Sequence, residues 1–593
     1  MDMLSRNILS WLVLPLTLAT VTRSEHYHIV PVDSTDLCNG YRNGTCFALE
    51  QLVQTDLLSD GDNLTLSFLP GDHVLTEQLL ICNFSHVQIT GQNTSTTVIG
   101  FHSNGAIRFV SITELSIEDL GFVGGNIGRQ NFDQSLIIID SAHDIYIKDC
   151  YFSDFKLLNQ VETCVVKIAN TQTATIENTL FMNNTGRALH IEVDDVYITN
   201  SEFTRNDGGA VDIDLNNTLI NNTKFNYNSA RNGGALKVVS GTVVITWCNF
   251  TNNKVSQYGG AITAVSSSVI ISDSELTNNS ADSGGGAISV YSGSVSISGC
   301  MLTNNSATTN SGGAINVVSG NVSIFNSELT NNSANYYGGV IYIVYSGSVF
   351  ISDSTLTNNV ANEGGAISVD SGNLSISNSE LTNNRADYGG AISVYSGTVS
   401  ISDSELKNNV ANEGGVIDVF QSSTLIINNT NITNNIRSLN ISQSNVTFTG
   451  INIVSNNGPI YAFNSRIEFI GPTTLSNNRG MLGGAISIVQ SEVYVNTEGV
   501  IINNNTATFG GGIFLRESTL FVNKPIKIYQ NTAQNGGGIY AYSSRVEFQS
   551  VQMVDAYGDP LPPNKLSEIA HNIAENGGGI HAVSSTIKFT HSH

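Results

Sequence analysis

GGAISVYSGSVSISGCMLTNNSATTNS, residues 285–311, carries the pattern that decides the fold. Apolar residues alternate along it at Ile288 and Val290, at Val295 and Ile297, and at Cys300 and Leu302. A period of two over such short runs is the signature of three strands, and Ser292-Gly293 and Ser298-Gly299 supply the turns between them. None of these strands is long enough to be stable alone. Each can bury its inward row only against the same strand of a neighbouring unit.

Neighbouring units are present. Glycine pairs begin at Gly208, Gly233, Gly259, Gly285, Gly312, Gly338, Gly364, Gly389 and Gly414, spaced 25 to 27 residues apart. The series falters through degenerate turns that include Asn456-Asn457-Gly458-Pro459-Ile460, then resumes at Gly483, Gly511, Gly537 and Gly578. The expectation is an all-β chain coiled into a parallel β-helix, a solenoid with three strands and about 25–26 residues per rung. A β-propeller blade needs about 40 residues, and the LxxLxL pattern of a leucine-rich horseshoe is missing. The recurrence of Asn253, Asn279, Asn305, Asn332, Asn359, Asn384 and Asn409 predicts a ladder of amides along one edge. Asn also tolerates the left-handed backbone of a sharp corner, and each glycine pair lets the chain turn without a Cβ clash.

Outside the repeats, Arg6, the apolar run Ile8–Ala19 and the polar stretch through Ser24 have the layout of a signal peptide, assigned to residues 1–23 with cleavage between Ala19 and Glu25. Export permits N-glycosylation, for which Asn43, Asn63, Asn83, Asn93, Asn249, Asn321, Asn373, Asn431, Asn440 and Asn445 are candidates. No other apolar run is long enough to span a bilayer. The net charge of −24 opposes nucleic acid and anionic lipid, so the expected partners are extracellular proteins or glycans. Seven cysteines cannot all pair. Cys38 and Cys46 flank a turn-like segment and are the disulfide candidates, whereas Cys248 and Cys300 fall two rungs apart, ~9.6 Å, beyond disulfide reach.

Residues 24–90 lack the repeat and are assigned to an N-terminal cap, which an open coil end requires. Within it Thr45–Val53 has helical spacing of apolar residues, and Leu64–Gly71 reads as a first strand and turn. Residues 91–593 form the coil, with clear repeats over 180–593 and a loop excursion over 551–567. The last strand-like run, Thr586–Thr590, is followed by no plug, which predicts further residues beyond 593.

Gly259-Gly260-Ala261-Ile262 after Phe250-Thr251-Asn252-Asn253 resembles the paired GGA-I and FxxN motifs of the polymorphic outer-membrane-protein repeats. The resemblance covers about residues 180–593 and implies a right-handed β-helix of the pectin-lyase-like type, displayed at a surface and often adhesive. The amino-terminal region is similar to animal secreted β-helix proteins carrying the same repeat.

That fold also carries polysaccharide lyases and hydrolases, so chemistry must be sought in outward columns. Aligning the rungs that start at Gly186, Gly208 and Gly233 puts His190, Asp212 and Lys237 in one outward column and Glu192 and Asp214 in the next. Carboxylates on adjacent rungs come near the ~5–5.5 Å separation of a retaining glycosidase. The plainer reading is a solvated column of alternating charge. It takes precedence because the Asn-Thr-Asp, Gly-His-Gly and Arg-Ile-Lys strings of polygalacturonases are absent. Asp273, Asp353 and Asp403 recur with Glu275, Glu328, Glu380 and Glu405, and such a row suits calcium; intervening Gly299, Asn326 and Asn378 favour an ordinary soluble surface. No Cys/His spacing indicates zinc and no cofactor motif is present, so neither is expected. The chain is expected to be a secreted or cell-surface binding scaffold, with a carbohydrate-active enzyme as the alternative.

Overall fold

The computed structural model describes residues 24–30, 46–49, 61–102, 105–124, 135–157, 163–214, 216–549 and 567–590. It is an all-β, right-handed parallel solenoid. In the rung read above, the strands are Ile288–Val290, Gly293–Ser298 and Met301–Thr303, joined by a two-residue strand, Ser306–Ala307. The first three build the first, second and third faces of a prism. Each pairs in parallel with its counterpart one rung on, Ile288 opposite Ile315, Val295 opposite Val322 and Leu302 opposite Leu329.

Like therefore lies over like, and the inward side chains form continuous rows. Ile288, Val290, Val295, Ile297 and Leu302 are all buried, each contributing ~1.5–3 kcal/mol relative to exposure. On the third face Phe122, Phe152, Phe181, Phe203, Phe225 and Phe250 stack with centroids 4.6–5.2 Å apart. That interval is the strand spacing itself, so register imposes the stack. Among the described residues twenty strands occupy this face, from Gly71–Leu75 to Glu568–Ala570, a stack ~90 Å long.

Stacking begins before residue 91. Ser24–Val30 pairs with Gly61–Phe68, which pairs with Gln78–Thr90, so the coil already occupies part of the span assigned to a cap. Cys46–Ala48, where apolar spacing suggests a helix, is a strand paired with Ser24–Val30; an available strand edge outweighs local spacing. Residues 1–23, Cys38, Asn43, the side chain of Cys46, the rest of the helical stretch beyond Leu49 and all of the 551–567 excursion except Ser567 lie outside the described residues. In the early rungs the first two faces share one long strand, as in Gln78–Thr90 and Ala106–Glu118, bent at a single left-handed residue, Asn83 or Ser111.

The asparagine ladder exists, with a different division of labour from the one expected. Asn305 is fully buried and its backbone is not left-handed. Its Nδ2 donates to Leu276 O at 2.8 Å and to Asn332 Oδ1 at 3.1 Å, and its Oδ1 accepts from the backbone N and Nδ2 of Asn279. The corner is turned by the preceding residue, exposed Asn304, with φ 55°. The same pair recurs at Asn331-Asn332 and Asn358-Asn359. Two adjacent asparagines thus meet two demands, one for buried hydrogen bonds and one for a left-handed backbone.

A second ladder runs along the corner before the third face. Ser354 Oγ accepts from the backbone N of Ser327, and Ser379 Oγ from that of Ser354. Cys248 and Cys300 occupy serine places in this ladder, where each backbone N donates to the next serine Oγ. Both are buried and free. Burial pushes the Cys248 thiol up to about 11 and raises that of Cys300, as suits inert core groups. The glycine pair is also divided. Gly285 has φ 64°, whereas a Cβ on Gly286 would meet Gly313 O at 2.1 Å. Gly414 is an exception: a Cβ there would lie 1.7 Å from Asp418 Oδ2.

The two asparagines should respond oppositely to substitution. Asn305→Ala strands two donors of Asn279 in the core and should lower the unfolding free energy of the full chain by about 3 kcal/mol. Asn304→Gly should change it by less than about 0.5 kcal/mol. Urea denaturation of both variants checks this, and equal effects would remove the ladder from the account of stability.

Candidate functional site

Along the first face the middle residue of each strand points outward, yet most of these residues are covered. Thr263, Ser289, Asn316, Ser368, Ser393 and Asp418 are all buried. The glycine-bearing segment between the asparagine ladder and the first strand lies over them. It spans nine positions from Asn279 to Ile288, but five from Asn184 to Leu189 and from Asn206 to Val211, and four from Asn435 to Leu439 and from Asn456 to Ile460. Ladder steps shorten in parallel, to 22 and 22 residues at the first pair and 21 and 22 at the second, against 25 to 27 on the rungs from Asn228 to Asn409. The short rungs open two windows on the outward column.

The first window holds the residues singled out in the sequence. Register places His190, Asp212 and Lys237 in one column. Asp214 N donates to Ile191 O at 3.1 Å, which sets Asp214 beside Glu192 on the next rung. Asp212, almost fully buried, is neutralised by Arg187 at 2.8 Å and Lys237 at 3.2 Å. Glu192 Oε1 lies 2.7 Å from His190 Nε2 and 3.4 Å from Lys167 Nζ. The hydrogen bond from His190 holds the Glu192 carboxyl below its usual range, with help from Lys167. The charge column is therefore real, and it closes on itself through ion pairs. Alignment of the three rungs does not reveal Lys167, one rung earlier, or Arg187, three residues before His190 on the same strand.

The second window was legible only as a loss of the repeat. Between Glu413 and Thr508 it forms a recess of about 830 Å³, lined among others by Arg437, Asn440, Pro459, Tyr461, Arg479 and Met481. Tyr461 is 38% and Met481 73% exposed, so an apolar surface faces solvent in a recess that Arg437, hydrogen-bonded to Glu413 O, and Arg479 also line. Asp418 lies beneath Gly414, Gly415 and Asn440. Its Oδ1 accepts from Asn440 Nδ2 at 2.6 Å while Oδ2 is buried without a hydrogen-bond partner. Burial raises its carboxyl from 3.8 to about 7, against the opposing effect of the Asn440 bond.

The remaining candidates distribute over the surface. Asn63, Asn83, Asn93, Asn321, Asn373, Asn431 and Asn445 are exposed. Asn249 and Asn440 are half-buried, with their amides bonded to Glu275 and Asp418. Asp273, Asp353 and Asp403 stand at left-handed corners, φ 48–52°, and Asn378 and Asn429 donate to the last two. Backbone conformation explains their recurrence without a bound ion. Among the described residues no helix is long and apolar enough to cross a membrane.

A family model of the right handed beta helix region matches residues 135–301. No curated protein matches the sequence. Among solved structures, the chain is similar to the catalytic domain of GH87 alpha-1,3-glucanase in complex with nigerose, at 11% identity over 69% of each chain with a TM-score of 0.31. It is also similar to PL6 family alginate lyase AlyGC, at 10% identity over 96% of this chain and 99% of that one with a TM-score of 0.27.

Asp418 gives the folded chain a pH signature. Its folded value lies above its ordinary one, so the folded protein keeps a proton that the unfolded chain releases, and stability falls as pH rises from 3.8 to about 7. Asn mimics the protonated carboxyl. The melting-temperature advantage of Asp418→Asn over the parent should grow from pH 4 to 7 and then level off; a pH-independent difference would show that Asp418 does not titrate in this window.

Proposed function

We propose that the protein is an extracellular scaffold that binds anionic glycan chains through the recess between Glu413 and Thr508 and does not turn them over. The observation that carries this reading is the shortened cover at Asn435–Leu439 and Asn456–Ile460, beside a recess lined by Tyr461, Met481, Arg437 and Arg479. In a chain with only 25 Lys and Arg against 49 Asp and Glu, two arginines beside one open recess favour a carboxylate or sulfate ligand, and an exposed aromatic ring offers an apolar surface to a sugar. A rigid prism ~90 Å long suits multivalent attachment.

The signal-peptide-like residues 1–23 and the exposed acceptor asparagines support secretion or display at a cell surface as a glycoprotein. The paired GGA-I and FxxN motifs, with their resemblance to polymorphic outer-membrane-protein repeats, support adhesion. The carbohydrate-active alternative at Glu192 and Asp214 has less behind it. A retaining pair needs one carboxyl that holds a proton beside one that is ionised, and His190 and Lys167 hold Glu192 in its charged form, which leaves it the nucleophile's part and not the acid's.

The full chain should be retained on immobilised acidic polysaccharides and not on neutral ones, with no new reducing or unsaturated sugar ends in solution. Arg479→Ala and Tyr461→Ala should each weaken retention about tenfold. Retention unchanged in both variants would remove the recess from the binding reaction, and turnover abolished by Glu192→Gln would replace the scaffold with the enzyme.

A further inference from the structure

We propose that the first window is a binding site for one divalent transition-metal cation, held by His190, Glu192 and Asp214. Each offers a ligand atom, and the three atoms all lie within 4.8 Å of one another. His190 and Glu192 stand two residues apart on the strand Arg187–Thr199 and so project from the same side; Asp214 joins them from the next rung. Bonds of ~2.1 Å put adjacent ligands on a tetrahedral, zinc-like ion roughly 3.4 Å apart. His190 Nε2 and Glu192 Oε1 are already 2.7 Å apart, so ligation asks for a small opening of this pair and a swing of the Asp214 carboxylate.

A second observation points to a missing partner. Asp214 Oδ1 is buried with no hydrogen-bond partner, and an orphaned buried polar atom costs ~1–3 kcal/mol. The neighbouring Asp212 shows that this surface is otherwise neutralised, by Arg187 and Lys237. Asp214 has no ion pair of its own among the described residues. An imidazole with two carboxylates selects a first-row transition ion over calcium, which takes oxygen ligands.

Lys167 sharpens the proposal. Its Nζ sits 3.4 Å from Glu192 Oε1, the oxygen that would meet the metal, and its positive charge opposes a cation there. A metal site and a purely structural charge cluster therefore respond differently to losing it.

The test uses the full chain stripped of metal, with Co²⁺ as a spectroscopic probe and Zn²⁺ as its competitor. One equivalent of Co²⁺ should produce visible d–d absorption that Zn²⁺ abolishes, and bound Zn²⁺ should raise the melting temperature. Asp214→Asn and His190→Ala should each weaken binding by at least about tenfold, while Lys167→Met should tighten it. Asp214→Asn keeps shape and carries the test if His190→Ala fails to fold. Absence of the Co²⁺ spectrum, or a spectrum that survives both ligand substitutions, would overturn the site; unchanged affinity in Lys167→Met would do the same for its placement at Glu192.

Discussion

In-register parallel stacking is the constraint from which the rest follows. A three-residue strand satisfies its backbone groups and buries its side chains only on the rung above and the rung below. Any polar group at an inward corner must then find its partner in the same place one rung away, or stay unsatisfied in the core. Asparagine meets that condition repeatedly, because its amide donates twice and accepts twice. Sixteen of them, from Asn184 to Asn572, are linked one to the next by Nδ2–Oδ1 bonds. The serine ladder and the phenylalanine stack obey the same translation.

That regularity restricts where the molecule can vary. Strands and ladder corners are held by the neighbouring rungs, so changes of length collect in the connecting segments. The segment between ladder and first strand matters most, because it is also the cover of an outward column. Shortening it leaves the core untouched, since Leu439 and Ile460 remain fully buried, and exposes what lies outside. Both windows arise in this way, one rich in ion pairs and one lined by two arginines and an exposed apolar surface. Loops on a rigid frame are the usual place for recognition, and here the relevant change is a deletion.

Charge follows the same geography. The chain is acidic as a whole, yet Lys167, Arg187 and Lys237 gather at the first window and Arg437 and Arg479 at the second. In the first, cations neutralise carboxylates brought together by register. In the second, the carboxylate beneath the cover, Asp418, is deprived of water, and burial raises it to about 7 against the opposing charge of Arg437.

The amino-acid sequence by itself determined the coil, its three faces, the register of the asparagines, the separation of Cys248 from Cys300 and the column of His190, Asp212 and Lys237. These follow from a period of two within strands and a period near 26 between rungs, and both periods are visible in a linear string. Only the tertiary structure decided which asparagine of each adjacent pair is buried and which turns the corner, since both are Asn and the difference lies in where the preceding rung's backbone carbonyl and the next rung's amide sit. It alone decided that Cys46–Ala48 is a strand, because the edge it pairs with is distant in sequence. It also decided which outward residues are covered. Cover depends on how a segment of one rung lies across its neighbours, so the degenerate turns around Gly458 signal a broken repeat in the sequence and become an open recess only when the rungs are stacked.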